Sequence, residues 1–352
     1  MAKAKIRDIL KERILVLDGA MGTMIQQFKF SEEEFRGDEF ADFPYPLRGN
    51  NDLLTLTRPE AIIQIHTKYL EAGADIIETN SFSSTRIGMA EYHLEEYAYK
   101  ISYESARIAR SVADEFTRAN PSKPRFVAGS IGPTNKTCGI SPDVNNPGFR
   151  AITFDELRGA YKEQALALIR GGSDILLVET VFDTLNAKAA LAGIEDAKRE
   201  LSELGEGFGD VETMVSGTIT DAAGRTLSGQ TVEAFCISLS HYPLLSIGLN
   251  CAFGPDQLKT YLKRLKRVSG IYISAHPNAG LPNEFGEYDQ TPLKMASLLK
   301  EYVEEGMVNI VGGCCGTTPE HIRLISSIVE GAAPPAPSVI ERSLRLSGLE
   351  PL

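Results

Sequence analysis

Three of the five cysteines in this 352-residue chain fall where a metal ion could gather them. Cys251 follows the apolar run of IGLNCAFG, and Cys314 and Cys315 follow that of VGGCCGTTPEH. If both runs are strands of one parallel sheet with a single strand between them, their ends stand roughly 10 Å apart, a gap that loops can close. Three thiolates occupy three corners of a tetrahedral zinc ion and leave the fourth open, which is the ligand set of a catalytic rather than a sealed structural site. Neighbouring strand residues point to opposite faces, so Cys314 and Cys315 can share a metal only if the backbone leaves the strand between them. Gly312, Gly313 and Gly316 surround the pair and permit unusual dihedrals there.

The chemistry such a centre favours follows from its charge. A thiol of ordinary pKa near 8.5 is only about 3% ionised at pH 7, and ligation to zinc raises the thiolate population about 30-fold, worth roughly 2 kcal/mol. Ligation also withdraws electron density, but three cysteine thiolates offset that loss, and the sulfur remains able to attack an electrophilic methyl group. The reaction implied is alkyl transfer to a small thiol, with Cys251, Cys314 and Cys315 as both catalytic and metal residues. Asn278, in SAHPNAG beside His276, is expected to offer its amide oxygen to the fourth position until a thiol arrives. Cys236, within TVEAFCISLS, reads as a core residue, and Cys138, in a glycine-flanked loop, is undecided. GGCCGTT also fits a glycine-rich phosphate loop ahead of a helix, although no basic residue occurs in it.

A thiol that is also an amino acid needs partners for its ammonium and carboxylate. The expected strand ends offer Asp18, Glu78, Asn80, Ser130 and Glu179. Glu179, in LLVETVFD, suits the ammonium, and the backbone N–H groups of Gly19, Ala20 and Met21 in DGAMGT suit the carboxylate. Asp18 and Glu179 also have a plainer reading as solvated loop or helix-cap residues.

The elements that must position these residues recur in a simple order. Short apolar runs at 14–18, 75–79, 125–129, 174–179, 213–217, 244–249, 271–275 and 308–312 read as eight strands. Helical patterns fall between and after them, at about 58–72, 86–118, 155–171, 184–202, 230–241, 255–267, 291–305 and 318–330. Glycines close several helices in EAGADIIE, RGGSDILL, KRVSGIYI and EEGMVNIV, where a left-handed cap is expected. Thr57 with Pro59, Asp155, and Thr317 or Thr318 with Pro319 mark helix starts. Connections into strands are short, while those leaving the first, third and seventh are long. In a (β/α)8 barrel of the TIM type these βα loops build the active-site face. A doubly wound open sheet also alternates elements, but no dinucleotide fingerprint is recognisable, and the α/β barrel is the better fit.

Composition narrows the partners. A net charge of −11 repels nucleic acid and anionic membrane surfaces. The N-terminal stretch lacks the apolar core of a signal peptide, no apolar run reaches the roughly 20 residues of a membrane span, and an odd number of cysteines is no disulfide framework. A cytoplasmic, reducing location is expected. The barrel is expected over 1–330, and residues 331–352, opening with GAAPPAPS, read as a proline–alanine linker and the first strand of a following module; the alternative is a tail packed along the barrel.

LDGAMGT, GADIIETNSF, LLVET, GLNC and VGGCCGTTPEHI, in this order over residues 10–330, resemble the homocysteine S-methyltransferase family. RGNNDLLTLTRPE and SIGPTNKTCGISPDVNNPGFRAITFDEL resemble, within it, the N-terminal homocysteine-binding modules of cobalamin-dependent methionine synthases. The resemblance implies zinc on Cys251, Cys314 and Cys315, homocysteine as acceptor and methionine as product. It also implies a methyl group delivered by methylcobalamin on another module, supplied in turn by 5-methyltetrahydrofolate on a folate-binding module. Cys138 inherits no role from it. Relatives that use betaine or S-methylmethionine carry the same zinc motifs, so a self-sufficient methyltransferase is the first alternative, and a non-catalytic metal- or thiol-binding module is the second. A lysine Schiff-base aldolase fits less well, because no expected strand ends in lysine.

Overall fold

Apolar side chains alternate between two destinations along each strand. Leu15, Leu17, Phe126, Ala128, Ile175, Leu177, Met214 and Ile310 form one buried cluster, while Val16, Val127, Leu176, Val178, Val215 and Val311 belong to a second, larger one shared with the helices. With a period of two, this division requires a sheet covered on both faces, one lining a closed interior and the other facing a helical jacket. The computed structural model describes residues 5–207, 211–221, 223–284, 288–341 and 343–352.

The eight strands are β1 Leu15–Val16, β2 Ile76–Glu78, β3 Phe126–Ile131, β4 Ile175–Val181, β5 Glu212–Gly217, β6 Ser246–Asn250, β7 Tyr272–His276 and β8 Ile310–Val311. All pairings are parallel, in the order β1-β8-β7-β6-β5-β4-β3-β2. The parallel bridge Leu17–Ile76, with Asp18 N donating to Ile76 O at 3.0 Å and Asp75 N to Val16 O at 2.7 Å, joins β1 to β2 and closes the barrel. Eight helices follow the strands in turn: α1 Pro59–Glu71, α2 Ala98–Ala119, α3 Phe154–Arg170, α4 Thr184–Glu203, α5 Val232–Leu239, α6 Pro255–Val268, α7 Pro292–Glu304 and α8 Pro319–Val329. A short helix before β1, Ile6–Ile9, sends Ile6 into the inner cluster and pairs Arg7 with Glu212 at the start of β5, 2.7 Å between Nη2 and Oε2. The (β/α)8 architecture expected from the sequence is what the chain forms.

The differences have local causes. The pattern over 86–118 is not one helix: Arg86–Met89 gives way to two 3-10 turns, and α2 begins at Ala98, because His93 sits in the left-handed region at φ 57. The loop leaving β2 is therefore long as well. Thr57 is the last residue of the short helix Leu54–Thr57, and Arg58 caps α1 ahead of Pro59. Thr153, not Asp155, caps α3, in a capping box with Glu156. Thr318 rather than Thr317 caps α8. Gly73, Gly172 and Gly306 close their helices at φ 106, 105 and 58, whereas Gly270 has no positive φ, since α6 ends on the extended Ser269.

Residues 331–352 form no strand beyond the isolated bridge Ser347–Pro351 among the described residues. Other elements satisfy their backbone instead. Pro335 O accepts from Asn309 Nδ2 at 2.7 Å, Gly348 O from Gln230 Nε2 at 2.8 Å and Leu349 O from Thr231 N at 3.0 Å, so the segment runs along the barrel to the start of α5.

Candidate metal and substrate site

β6 turns sharply as it ends. Cys251 and Ala252 both lie in the left-handed region, at φ 59 and 57, a conformation that costs non-glycine residues energy and is held by the surrounding structure. Cys251 N donates to His276 O at 3.3 Å, which fixes the turn against β7. After β8 the glycines act mainly by permitting close approach. A Cβ on Gly312 would fall 2.6 Å from Leu17 O, and one on Gly313 2.5 Å from Thr317 Cγ2. Only Gly316, at φ 80, supplies the unusual dihedral expected of all three.

The three thiols meet. Cys251 Sγ and Cys315 Sγ are 3.8 Å apart, and all three sulfurs lie within 4.8 Å of one another. A tetrahedral zinc with Zn–S bonds of about 2.3 Å sets its sulfurs roughly 3.8 Å apart, so this spacing fits the ion. Asn278 is tied to both cysteine loops: its N donates to Phe253 O at 3.0 Å, and the next residue, Ala279, donates to Cys315 O at 2.9 Å. Its side-chain oxygen is buried without a partner, which fits a reserve ligand.

The three thiols shift one another unequally. Hydrogen bonds from Cys251 and Cys314, helped by one from the Tyr288 hydroxyl, pull the Cys315 thiol down to about 3 against the opposing effect of burial. Cys251, although lowered by its bond with Cys314, is pushed to about 11 by Cys315 and by burial. Cys314 is held well above the thiol range by its bonds to both neighbours and by burial.

A second group lies across the barrel mouth. Asp18 follows β1, Glu78 ends β2, and Glu179 lies in β4; ligand atoms of Glu78, Glu179 and His276 are within 4.8 Å of one another. Ser130 Oγ donates to Glu179 Oε1 at 2.5 Å, and Asp18 Oδ2 accepts from Glu78 N at 3.1 Å while Oδ1 is buried without a partner. Burial pushes the Glu179 carboxyl up to about 7, opposed by the Ser130 bond. Burial, and next the neighbouring carboxylates, hold Glu78 well above its usual range; Asp18 is raised well above its own by burial, with Glu179 adding to the effect. His276 is driven down to about 3 by burial and is neutral. Among the described residues no lysine or arginine borders the cavity shared by Glu78, Glu179 and His276, so a ligand ammonium would bring a positive charge that this group lacks.

That cavity, about 670 Å³, is bordered by all three cysteines, Gly19–Gly22, Ser130, Glu78 and Glu179, and extends outward to Asp52, Phe82 and Tyr92. The backbone groups expected to take a carboxylate are only partly free. Ala20 N already donates to Thr317 Oγ1 at 3.1 Å, while Met21 and Gly22 open the short helix Met21–Gln26, where first-turn N–H groups have no intrahelical acceptor. Gly19 is required for close approach, since a Cβ there would meet Thr317 Oγ1 at 2.7 Å. Asn80 borders the cavity, but its amide donates to Asn51 O at 2.8 Å and Thr55 Oγ1 at 3.2 Å, holding the loop after β1.

Two residues of this region escaped the sequence reading. Asn250 links Thr180, itself at φ 54, to the metal loop: Thr180 N donates to its Oδ1 at 3.0 Å, and its Nδ2 donates to Thr180 Oγ1 at 2.9 Å and approaches Cys314 Sγ at 3.9 Å. Its place directly before Cys251 is the one available signal. Tyr288 carries no spacing signal at all. The remaining cysteines are buried. Cys236 is buried in the core, and Cys138 Sγ is 3.2 Å from the Asn186 Oδ1 that also accepts from its backbone N.

The barrel mouth thus brings a trio of thiols and a group of acids to one cavity. The chain matches the homocysteine S-methyltransferase family over residues 15–329 and belongs to it; it is a methyltransferase. Among solved structures it is similar to the homocysteine methyltransferase MmuM from Escherichia coli. The metallated form has a TM-score of 0.69 at 22% identity, covering 92% of this chain and 98% of the other. The oxidised form has a TM-score of 0.68 at 21% identity, covering 92% and 97%. Among the described residues no helix is long and apolar enough to cross a membrane.

Proposed function

We propose that Cys251, Cys314 and Cys315 hold a zinc ion, with Asn278 as fourth ligand in the absence of substrate, and that the site methylates homocysteine to methionine with methylcobalamin, carried on another module, as the immediate donor. The observation that carries the reading is the sulfur spacing of 3.8 Å beside acids that lack a counter-charge. Zinc in this position would supply ionisation of the substrate thiol while three thiolates keep that sulfur electron-rich. The chain's own groups supply the rest. Glu179, oriented by Ser130, and its neighbours Glu78 and Asp18 receive the ammonium, and the first-turn N–H groups of Met21 and Gly22 receive the carboxylate. Held at both ends, the substrate presents its sulfur toward Cys251, Cys314 and Cys315.

A large donor brought by a partner is favoured by the mouth itself. A cavity of about 670 Å³ is sized for a ligand larger than a small amino acid. Phe82, Val144, Phe149, Leu185, Leu227 and Leu281, on loops or a helix start beyond five different strands, are exposed around this face, as expected where another protein surface docks. In this reading the module proper spans 1–330, and 331–352 leads toward a folate-binding module whose 5-methyltetrahydrofolate replenishes the methyl group.

The test is direct. Protein loaded with zinc is incubated with homocysteine and, separately, methylcobalamin, betaine and S-methylmethionine. Methionine formation with methylcobalamin alone is expected; turnover with either onium compound alone would refute the assignment of donor. Methyl transfer that survives Cys251→Ala after zinc is lost would favour a metal-binding role without catalysis.

A further inference from the structure

The acids across the mouth from the thiols have an imidazole among them, and all three side chains are carried by strands rather than by loops. Glu78 closes β2, Glu179 lies in β4 and His276 closes β7, so the sheet itself fixes their separations. One ligand atom from each lies within 4.8 Å of the other two. His276 Nδ1 is 3.8 Å from Glu78 Oε1, too far for a hydrogen bond. That distance is just beyond the spacing of about 3–3.5 Å that two ligands of one cation adopt at bond lengths of about 2.1 Å. His276 is only 1% exposed, and its Nε2 is buried without a partner. Ser130 Oγ, donating to Glu179 Oε1, holds that carboxylate in place. Two carboxylates match the charge of a dication, and among the described residues no lysine or arginine borders the cavity to neutralise them.

We propose that Glu78, Glu179 and His276 form a second cation site, distinct from the thiol trio, that takes a divalent first-row metal ion. Oxygen and nitrogen ligands without sulfur suit manganese(II) or iron(II), whereas three thiolates select zinc, so the two sites sort their ions by ligand type within one cavity. Cation and substrate ammonium would use the same carboxylates and so exclude one another, which makes the cation a competitive inhibitor toward the amino thiol. This consequence rests on the placement of the ammonium proposed above; the cation site itself does not.

The experiment titrates the full chain, loaded with zinc, with manganese(II), the weakest binder of the series and so the least able to displace zinc from thiolates. Free manganese is counted by its electron paramagnetic resonance signal. One manganese per chain is expected, with zinc content unchanged. Glu78→Gln and, separately, His276→Gln should each weaken manganese binding at least about 10- to 100-fold, the loss that follows removal of even an outer-shell partner, with retained zinc showing that the fold is intact. Homocysteine should raise the apparent manganese Kd, and a thiol of equal length lacking the amino group should not. A wild-type chain that binds no manganese, or zinc-loaded variants that bind it as tightly as wild type, would overturn the site. Manganese that is lost in the variants but stays bound in the presence of homocysteine upholds the site and counts against the ammonium placement, so the two failures are told apart.

Discussion

Replacing Glu179 with glutamine removes one charge from the acid group at almost constant shape. Ser130 Oγ, 2.5 Å from the carboxylate, donates equally well to an amide oxygen, so the side chain should stay in place. What is lost is the charged partner of the substrate ammonium. A hydrogen bond to a charged group is worth about 1.5–3 kcal/mol, so KM for homocysteine should rise roughly 10- to 150-fold, toward the lower end because Glu78 and Asp18 remain. The control is a thiol of the same length without an amino group, whose KM should be unaffected by the substitution. Steady-state kinetics on both acceptors, with zinc content verified, is the assay, and equal losses for the two would refute the assignment of Glu179 to the ammonium. The same carboxyl predicts a pH effect on folding. Burial raises it from 4.5 to about 7, so between these values the folded chain holds more protons than the unfolded one. Unfolding free energy contributed by this group therefore falls as pH rises through that window, and Glu179→Gln should flatten the slope in substrate-free protein.

Other outcomes follow from single contacts. Gly19→Ala places a methyl group 2.7 Å from Thr317 Oγ1 and 2.9 Å from the Tyr69 ring and should cost about 1–3 kcal/mol by urea denaturation, whereas an unchanged midpoint would show that the β1 and β8 loops are less tightly joined than described. Cys138→Ala should keep full zinc content and turnover, with a loss of about 1 kcal/mol for its bond to Asn186, and lost activity would give Cys138 a role that its geometry does not.

The barrel was legible because its signals are local. Alternation within runs such as ILVLD and glycines such as Gly73 and Gly172 announce strands without reference to distant residues. The cysteine trio was legible from residue type at two strand ends. What stayed hidden depends on contacts between distant segments. Nothing in the spacing of 86–118 reveals that His93 turns left-handed, and the hydroxyl of Thr317, at first a candidate helix cap, is instead bound to Cys314 O at 2.7 Å. Tyr288 follows a polar loop and reaches Cys315 only once β7 and β8 lie side by side. In the tail, Gly348 O and Leu349 O accept from Gln230 Nε2 and Thr231 N, contacts that its own residues do not announce.

The central claim is that the three thiols converge on one cation with a position left for substrate. X-ray absorption at the zinc edge of protein purified under reducing conditions tests it most directly. One zinc per chain, with three sulfur neighbours at about 2.3 Å that become four on adding homocysteine, is the predicted result. A metal-free protein, or a sulfur count that homocysteine leaves unchanged, would contradict it.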